Sequence, residues 1–313
     1  MNFLTSLLNS MPGAVAQGMI WGIMAIGVYI TYRILDIADL TVDGSLCTGG
    51  AVCVILTLNG VSMPIALLAA FAAGLIAGLA TGLFQTACGI PAILAGILTQ
   101  LGLYSINLRI MGIGTGGGKA NLPVSVDKYK LLVSARYVRE PALNNPLIAL
   151  IVFIVVIIVL MYWFFGTELG CSLRATGSNQ NMSRAQGINT NVTRVLGLML
   201  SNGLVALSGA LLAQYQGFSD INMGRGAIVI GLAAVIIGEV IFAKVFSNFA
   251  LKLLAAVFGA IIYYVVIQFV LRLGLSTDDL KLLTALVVAV FLSVPYWKGK
   301  YFKGRKKEGR TNA

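Results

Sequence analysis

Long apolar runs, each about twenty residues long, recur along almost the whole chain and restrict its fold more than any other feature. A helix of that length crosses the hydrocarbon core of a bilayer, where backbone polar groups must bond within the segment. Such runs lie at residues 14–35, 40–58, 64–84, 91–108, 146–165, 195–215, 226–246, 249–271 and 280–295. We therefore predict an all-α, polytopic integral membrane protein with about nine transmembrane helices.

The composition agrees with this fold class. Of 313 residues, 58% are hydrophobic and 11% are charged, whereas about 25% of an average soluble domain is charged. So few charges cannot cover a water-facing surface. Because the apolar runs use most of the length, we expect residues 1–313 to form a single transmembrane domain, without a separate soluble domain.

Basic residues predict the orientation of the chain. Lys and Arg number 22 against 11 Asp and Glu, and seven of the basic residues lie in the tail, 298–313. Basic residues beside a last span favour the cytoplasmic side, so we interpret the excess as a basic cytoplasmic tail and not as a nucleic-acid site. Counting back places 171–194 in the cytoplasm, and 109–146 and the amino terminus outside. Six basic residues within 109–146 weaken this prediction, because a missed or re-entrant segment would invert part of it.

The residue types present give little support for an enzyme active site or a metal site. The chain has no histidine, which excludes histidine ligands and histidine general bases. Its four cysteines, Cys47, Cys53, Cys88 and Cys171, lack the spacing of a metal site, and we interpret them as small buried hydrophobes. The glycine-rich stretch 112–119 does not match a phosphate loop, and no strand–turn–helix unit surrounds it. We expect no cofactor on this chain and no enzyme activity.

The third apolar run presents one smooth helical face. Small residues recur every fourth position, at Ala66, Ala70, Gly74, Gly78 and Gly82. Lipid provides no hydrophobic force between helices, so such a face serves close backbone approach and dispersion contacts. It packs either within the subunit or between two subunits.

A polar segment, 166–194, separates two strongly apolar runs and has the signals of a short helix. Ser178 or Asn179 can cap its amino end, and Gly187 can adopt the left-handed conformation that ends it. Either Asn189 or Thr190 can cap the following span. A rigid cytoplasmic helix between two spans can transmit force into the membrane, although a plain ordered loop is the alternative.

Two motifs in this segment resemble a known family. Arg-Ala-x-Gly-Ser-Asn at 174–179 and Ser-Arg-Ala-Gln-Gly-Ile-Asn at 183–189 resemble the cytoplasmic coupling segment of ABC importer permeases of the branched-chain amino acid and ribose group. The resemblance implies that this segment contacts an ATPase. The implied contact residues are Gly177, Ser178, Asn179, Ser183, Arg184, Ala185, Gln186, Gly187, Ile188 and Asn189.

Other stretches extend the resemblance over most of the chain. Residues 18–32 resemble the first conserved-type span of that family. Residues 38–45, Ala-Asp-Leu-Thr-Val-Asp-Gly-Ser, resemble the subgroup usually described as tryptophan/tyrosine permeases. Residues 208–213 and 231–239 continue the match, which is more specific for the permease family than for any substrate.

The resemblance implies a function and a set of partners. The chain would be the permease subunit of an ATP-driven importer for a small solute, an aromatic or branched-chain amino acid, working by alternating access in a bacterial plasma membrane. It would pair with a second permease copy, an ATP-binding subunit and an extracytoplasmic substrate-binding protein, within membrane lipid. Since the chain lacks a phosphate loop, ATP hydrolysis belongs to a separate chain. An ion-gradient-driven transporter or a small-molecule channel is the alternative.

Two carboxylates in apolar runs are the candidate residues of the translocation pathway. Asp43 stands at the head of the second run, where a carboxylate can cap a helix. Its functional alternative is to meet the amino group of a solute. Glu239 lies near the inner end of the seventh run, where it either snorkels to the interface or forms part of an inner gate.

Overall fold

The computed structural model describes residues 3–114, 117–125, 128–129, 131–138, 145–242, 246, 248–272 and 280–297. The predicted tail, 298–313, lies outside these residues. The described helices are α1 (Phe3–Tyr29), α2 (Val42–Leu58), α3 (Met63–Thr86), α4 (Ala92–Met111), α5 (Pro146–Gly166), α6 (Glu168–Ser178), α7 (Gln180–Ala185), α8 (Thr190–Gln216), α9 (Ala227–Phe242), α10 (Phe249–Arg272) and α11 (Leu280–Trp297). A short antiparallel pair of strands, β1 (Asn121–Pro123) and β2 (Phe218–Asp220), is the exception to the predicted all-α fold.

Six of the described helical segments are long and apolar enough to cross a membrane. They are Ser10–Ile34, Met63–Thr86, Ala92–Met111, Pro146–Gly166, Thr190–Gln216 and Phe249–Leu271. Two further apolar helices, α2 and α9, are shorter, at 17 and 16 residues. The prediction of a polytopic helical membrane protein is confirmed, whereas the count of nine spans stays a prediction.

The smooth face of α3 packs within the subunit. A Cβ added at Gly74 would clash with the carbonyl oxygen of Asn202, and one added at Gly78 would clash with that of Leu198, both on α8. α8 also packs against α1 and α2, which places it at the centre of the bundle. Of the two alternatives for this face, packing inside the chain is therefore the one found.

The end of α1 turns the chain back into the bundle. A π-helical turn, Ile30–Ile34, follows α1, and the amide of Leu35 donates to the carbonyl of Ile30 at 3.0 Å. Asp36 has φ of 55°, a left-handed conformation that Asp tolerates better than most residues. From here to α2 the backbone is not helical.

The two shorter apolar helices, α2 and α9, begin in the interior of the bundle. Near the start of α2, the Ser45 hydroxyl donates to the side-chain oxygen of Asn202 at 2.6 Å, and Asn202 lies near the middle of α8. Gly224, just before α9, packs directly against the carbonyl of Asp43. The amino ends of α2 and α9 thus meet about halfway along α8.

We predict that Gly78→Ala destabilises the protein, whereas Gly102→Ala does not. The added methyl group at Gly78 meets the α8 backbone, and overpacking of this kind costs about 1–3 kcal/mol. Gly102 also lies within a helix but has no atom within 4 Å of an added Cβ, and Ala is favoured over Gly there by up to about 1 kcal/mol. Thermal unfolding of the two purified variants measures the difference. Equal midpoints would contradict the proposed close approach of α3 and α8.

Candidate functional site

The polar segment after α5 forms the short, capped helix that the sequence predicts. The side-chain oxygen of Asn179 accepts from the amide of Met182 at 3.1 Å and caps α7. Gly187 follows α7 with φ of 81°. The side-chain oxygen of Asn189 accepts from the amides of Asn191 and Val192 and caps α8. α7 is thus separated from both neighbouring helices by defined turns.

The preceding helix, α6, fixes this segment to the ends of the membrane helices. Gly177 packs so closely on the end of the π-helical turn after α1 that an added Cβ would clash with the carbonyl of Ile34. The hydroxyls of Thr176 and Thr193 are 2.9 Å apart and join α6 to α8. The Arg174 guanidinium lies 4.2 Å from the ring centroid of Phe249, at the start of α10. The turn after α1, together with α8 and the start of α10, therefore holds α6.

Most of the predicted contact residues form an exposed surface. Seven of the ten are exposed, namely Ser178, Asn179, Arg184, Ala185, Gln186, Gly187 and Asn189. Gly177 and Ile188 are half-buried, and Ser183 is buried with its hydroxyl donating to the Asn179 carbonyl. Gly177 and Ser178 belong to α6 and not to the short helix. The buried members support the segment, and the exposed ones are available to a partner.

Two apolar side chains on this surface could not be recognised as contact residues from the sequence. Met182 is 59% exposed and Val192 is 50% exposed. Arg184 lies between them in the sequence. Its side chain is held in place because its Nε donates to the Thr190 hydroxyl at 2.8 Å. Exposed apolar side chains beside an ordered arginine are typical of protein interfaces. The polar composition of the segment had indicated only a polar contact.

Asp43 caps a helix, but not its own. Its carboxylate accepts from the amides of Gly226 at 2.9 Å and Ile228 at 3.0 Å, at the start of α9. The expected capping chemistry is therefore present, but the capped amides belong to α9 and not to the second span. A separation of 183 residues between Asp43 and Gly226 hides this contact from local sequence reasoning.

A second buried carboxylate organises the start of α2. The Asp39 carboxylate accepts from the Thr41 amide at 2.9 Å and from the side-chain amide of Asn202 at 2.7 Å. Asn202 in turn accepts from Ser45. A buried charge is costly unless it is hydrogen-bonded, so this network allows the non-helical backbone to remain inside the bundle.

Glu239 forms an ion pair with Arg33. Their side chains are 2.9 Å apart, and both are partly exposed to solvent. Pairs of this kind contribute at most about 1 kcal/mol. The ion pair lies at the end of the bundle near α6 and fits an interfacial carboxylate, while a role in an inner gate stays a prediction.

The positions of the four cysteines only partly match the interpretation of all four as small buried hydrophobes. Cys47 and Cys53 are buried, but Cys88 and Cys171 are exposed, and all four are free. Cys88 lies in the turn after α3, and Cys171 lies on the outer side of α6. Among the described residues, no group of three or more Cys, Asp or Glu side chains is placed to hold a metal ion.

A small cavity adjoins Asp43 where α2 and α9 begin. Its volume is about 120 Å³, and its polar lining consists of Asp43, Gln100, Tyr104, Asn107 and Arg225. The Asn107 side chain is 1% exposed, and its Oδ1 has no hydrogen-bond partner. Apart from Asp43, the sequence did not indicate these residues, because the lining is assembled from three separate parts of the chain: the start of α2, α4 and the segment before α9.

We predict that Asp43→Ala lowers stability more than Asp43→Asn. Alanine leaves the part-buried amides of Gly226 and Ile228 without their acceptor, and the cost approaches the roughly 1–3 kcal/mol of an unsatisfied buried group only where water does not reach them. Asparagine keeps one acceptor oxygen and so retains part of the cap. Thermal unfolding of the purified permease in detergent measures both variants. Equal stability of Asp43→Ala and the parent would show that the carboxylate does not hold α9.

Comparison with known proteins places the chain in a family. Residues 10–294 match the model described as the permease component of branched-chain amino acid transport systems. The tyrosine transport system permease protein of Clostridioides difficile is 40% identical over 91% of each chain. An uncharacterised protein of Rickettsia prowazekii is 38% identical over 91% of this chain and 98% of its own. The autoinducer 2 import system permease protein LsrC of Escherichia coli is 31% identical over 72% of this chain and 61% of its own.

The fold has a relative among solved structures. A chain of PsaBC from Streptococcus pneumoniae, solved in complex with Fab, aligns with a TM-score of 0.54 over 97% of this chain and 100% of that one. At 16% identity this likeness concerns the fold alone. The family match and the similar sequences lead to one conclusion: the chain belongs to the family of permease components of branched-chain amino acid transport systems.

Proposed function

We propose that this permease is the membrane subunit of an ATP-driven importer for amino acids. It works by alternating access, with ATP hydrolysed on a separate subunit. The observation that carries the proposal is the exposed α7 surface, which α6 holds against α8, α10 and the turn after α1. A shift between inward and outward states requires a partner that binds the two states differently, and this surface provides a place for such a partner.

The geometry of α6 supports mechanical coupling. The contact of Gly177 with the turn after α1 and the hydroxyl pair of Thr176 and Thr193 join α6 to the ends of two long helices. A displacement of α7 would therefore move the ends of α1 and α8 with it, because packed elements transmit shifts as rigid bodies. A flexible loop at this place would absorb the displacement.

The partners follow from the proposed orientation. The end of the bundle with α6 and α7 faces the cytoplasm, together with the basic tail, 298–313. The ATP-binding subunit docks there, and a substrate-binding protein docks at the opposite face, near β1 and β2. A second copy of this chain completes the pathway in a bacterial plasma membrane, with residues 1–313 acting as a single permease domain.

The substrate proposal rests on similarity. The matched family model is described for branched-chain amino acids, and the relative from Clostridioides difficile is named for tyrosine transport. These substrates share an ammonium and a carboxylate on one carbon and differ in the side chain. We therefore assign amino acids as the substrate class, without choosing between the two kinds of side chain.

We predict that Arg184→Glu weakens binding of the ATPase subunit and abolishes ATP-driven uptake. The substitution reverses a charge on the exposed α7 surface, and charge reversal in an interface commonly costs several kcal/mol. Arg109→Glu is the matched control. It reverses the charge of an exposed arginine at the carboxyl end of α4, away from α7, and this variant should bind the ATPase normally. Co-purification of the ATPase with the tagged permease measures docking.

Gly187 supplies a second, independent test of the same surface. Gly187→Val should also prevent docking, because a β-branched residue is strongly disfavoured at positive φ. Gly187→Asn should retain it, because Asn tolerates this conformation and space around the added side chain is open. If Arg184→Glu and Gly187→Val both co-purify with the ATPase and transport at the parental rate, α7 is not the coupling element.

A further inference from the structure

We propose that the cavity beside Asp43 binds the charged head group of the amino acid in transit, its ammonium and its carboxylate together. This inference rests on the proposed function and names the residues through which the permease itself would contact its substrate. Its basis is the geometry of one cavity, which lies where α2 and α9 begin.

The cavity lies where a membrane protein tolerates irregular backbone. Segments 35–41 and 221–226 precede α2 and α9 and are not helical, and each alternates buried with exposed residues. Non-helical backbone at membrane depth is stable only where it is buried in protein or lines a water-filled cavity. Interrupted helices whose amino ends meet inside the membrane also recur at solute-binding sites. Such a location suits a polar ligand, and the side chains that line the cavity indicate which one.

Asn107 carries an unused acceptor into this cavity. Its side-chain amide donates to the Gly44 carbonyl at 3.4 Å, while its Oδ1 has no partner. The side chain is almost fully buried, and an unsatisfied buried carbonyl is destabilising. A donor that enters from outside would satisfy it. An ammonium group has three donors and suits an oxygen beside the carboxylate of Asp43.

Opposite charges face the cavity without neutralising each other. Both oxygens of the Asp43 carboxylate accept backbone amides at the start of α9, and acceptor capacity remains, since a carboxylate offers about four acceptor sites. Arg225 is exposed at the same cavity. In the part of the chain that the structure describes, the one ion pair recorded within 4 Å joins Arg33 and Glu239, so Asp43 and Arg225 are not paired.

This charge arrangement matches a zwitterion. The ammonium would lie against Asp43 and the free oxygen of Asn107. The carboxylate would lie against Arg225, whose planar guanidinium suits bidentate binding of carboxylates. Neither an amine nor a carboxylic acid alone would satisfy both sides of the cavity.

The size of the cavity limits what it can recognise. Its volume of about 120 Å³ holds several water molecules but not a head group together with an aromatic ring. The lining includes Leu101 and Tyr104, which are exposed on α4, so the cavity is accessible from that face and the substrate side chain would extend toward it. Such a site selects amino acids as a class and leaves the choice of side chain to other contacts.

The test measures weak binding to the complete permease–ATPase complex in lipid nanodiscs by saturation-transfer NMR. The probes are L-tyrosine, tyramine, which lacks the carboxylate, and 3-(4-hydroxyphenyl)propionate, which lacks the ammonium. We expect the parent to bind tyrosine about tenfold more tightly than either analogue, because each loses one charge-assisted contact. Arg225→Gln should abolish the preference over tyramine, and Asn107→Leu should weaken tyrosine binding about tenfold.

Two matched variants separate recognition from folding. Gln85→Leu also removes a side-chain amide with an unpaired buried atom, but Gln85 does not line the cavity. Arg109→Gln removes an exposed arginine outside it. Both should bind tyrosine as the parent does. Thermal unfolding of Asn107→Leu should be little changed, because the variant removes an unsatisfied polar atom together with one long hydrogen bond to the Gly44 carbonyl.

The outcomes distinguish this inference from the proposed function. If the parent complex, supplied with its binding protein in vesicles, imports tyrosine but Arg225→Gln and Asn107→Leu bind it as the parent does, the cavity holds water only and the inference is wrong. Equal binding of all three probes by the parent would overturn it as well. If the parent complex imports no amino acid when ATP is supplied, the proposed function itself fails.

Discussion

The carboxylate of Asp43 joins two helix amino ends within an apolar bundle, and the interior of the protein depends on this contact. It satisfies amides of Gly226 and Ile228 at the start of α9 while it stands in the first turn of α2. Without it, backbone donors at the start of α9 would lose their acceptor in the protein. The contact therefore allows two shortened helices, and with them a polar cavity, in a chain that is otherwise dominated by spanning helices.

A single helix connects this interior to the exposed segment. α8 bonds to α6 through Thr193 and, about halfway along its length, to Asp39 and Ser45 through Asn202. Glycines on α3 allow close packing along α8. Force applied at α7 thus reaches a rigid element that also contacts the polar interior. Because packed helices have few intermediate arrangements, such a connection suits a switch between two states.

Local signals explain what could be predicted from the sequence. The caps at Asn179 and Asn189 and the positive φ of Gly187 involve residues within three positions of each other, so their pattern is visible in the chain. The apolar runs likewise predict helices by length and composition. The partner of Asp43 and the cavity residues Asn107 and Arg225 could not be predicted, because tertiary packing of distant segments brings them together. The exposure of Cys88 was missed because it depends on where a helix ends.

The most direct test of the account is uptake by purified protein in vesicles. The permease would be reconstituted with its ATPase and its binding protein, and uptake of radiolabelled tyrosine and leucine would be measured with ATP, without ATP, and with an imposed sodium or proton gradient. The account predicts uptake of an amino acid only when ATP and the ATPase subunit are both present. Uptake driven by a gradient through the permease alone would contradict it and would identify a secondary transporter.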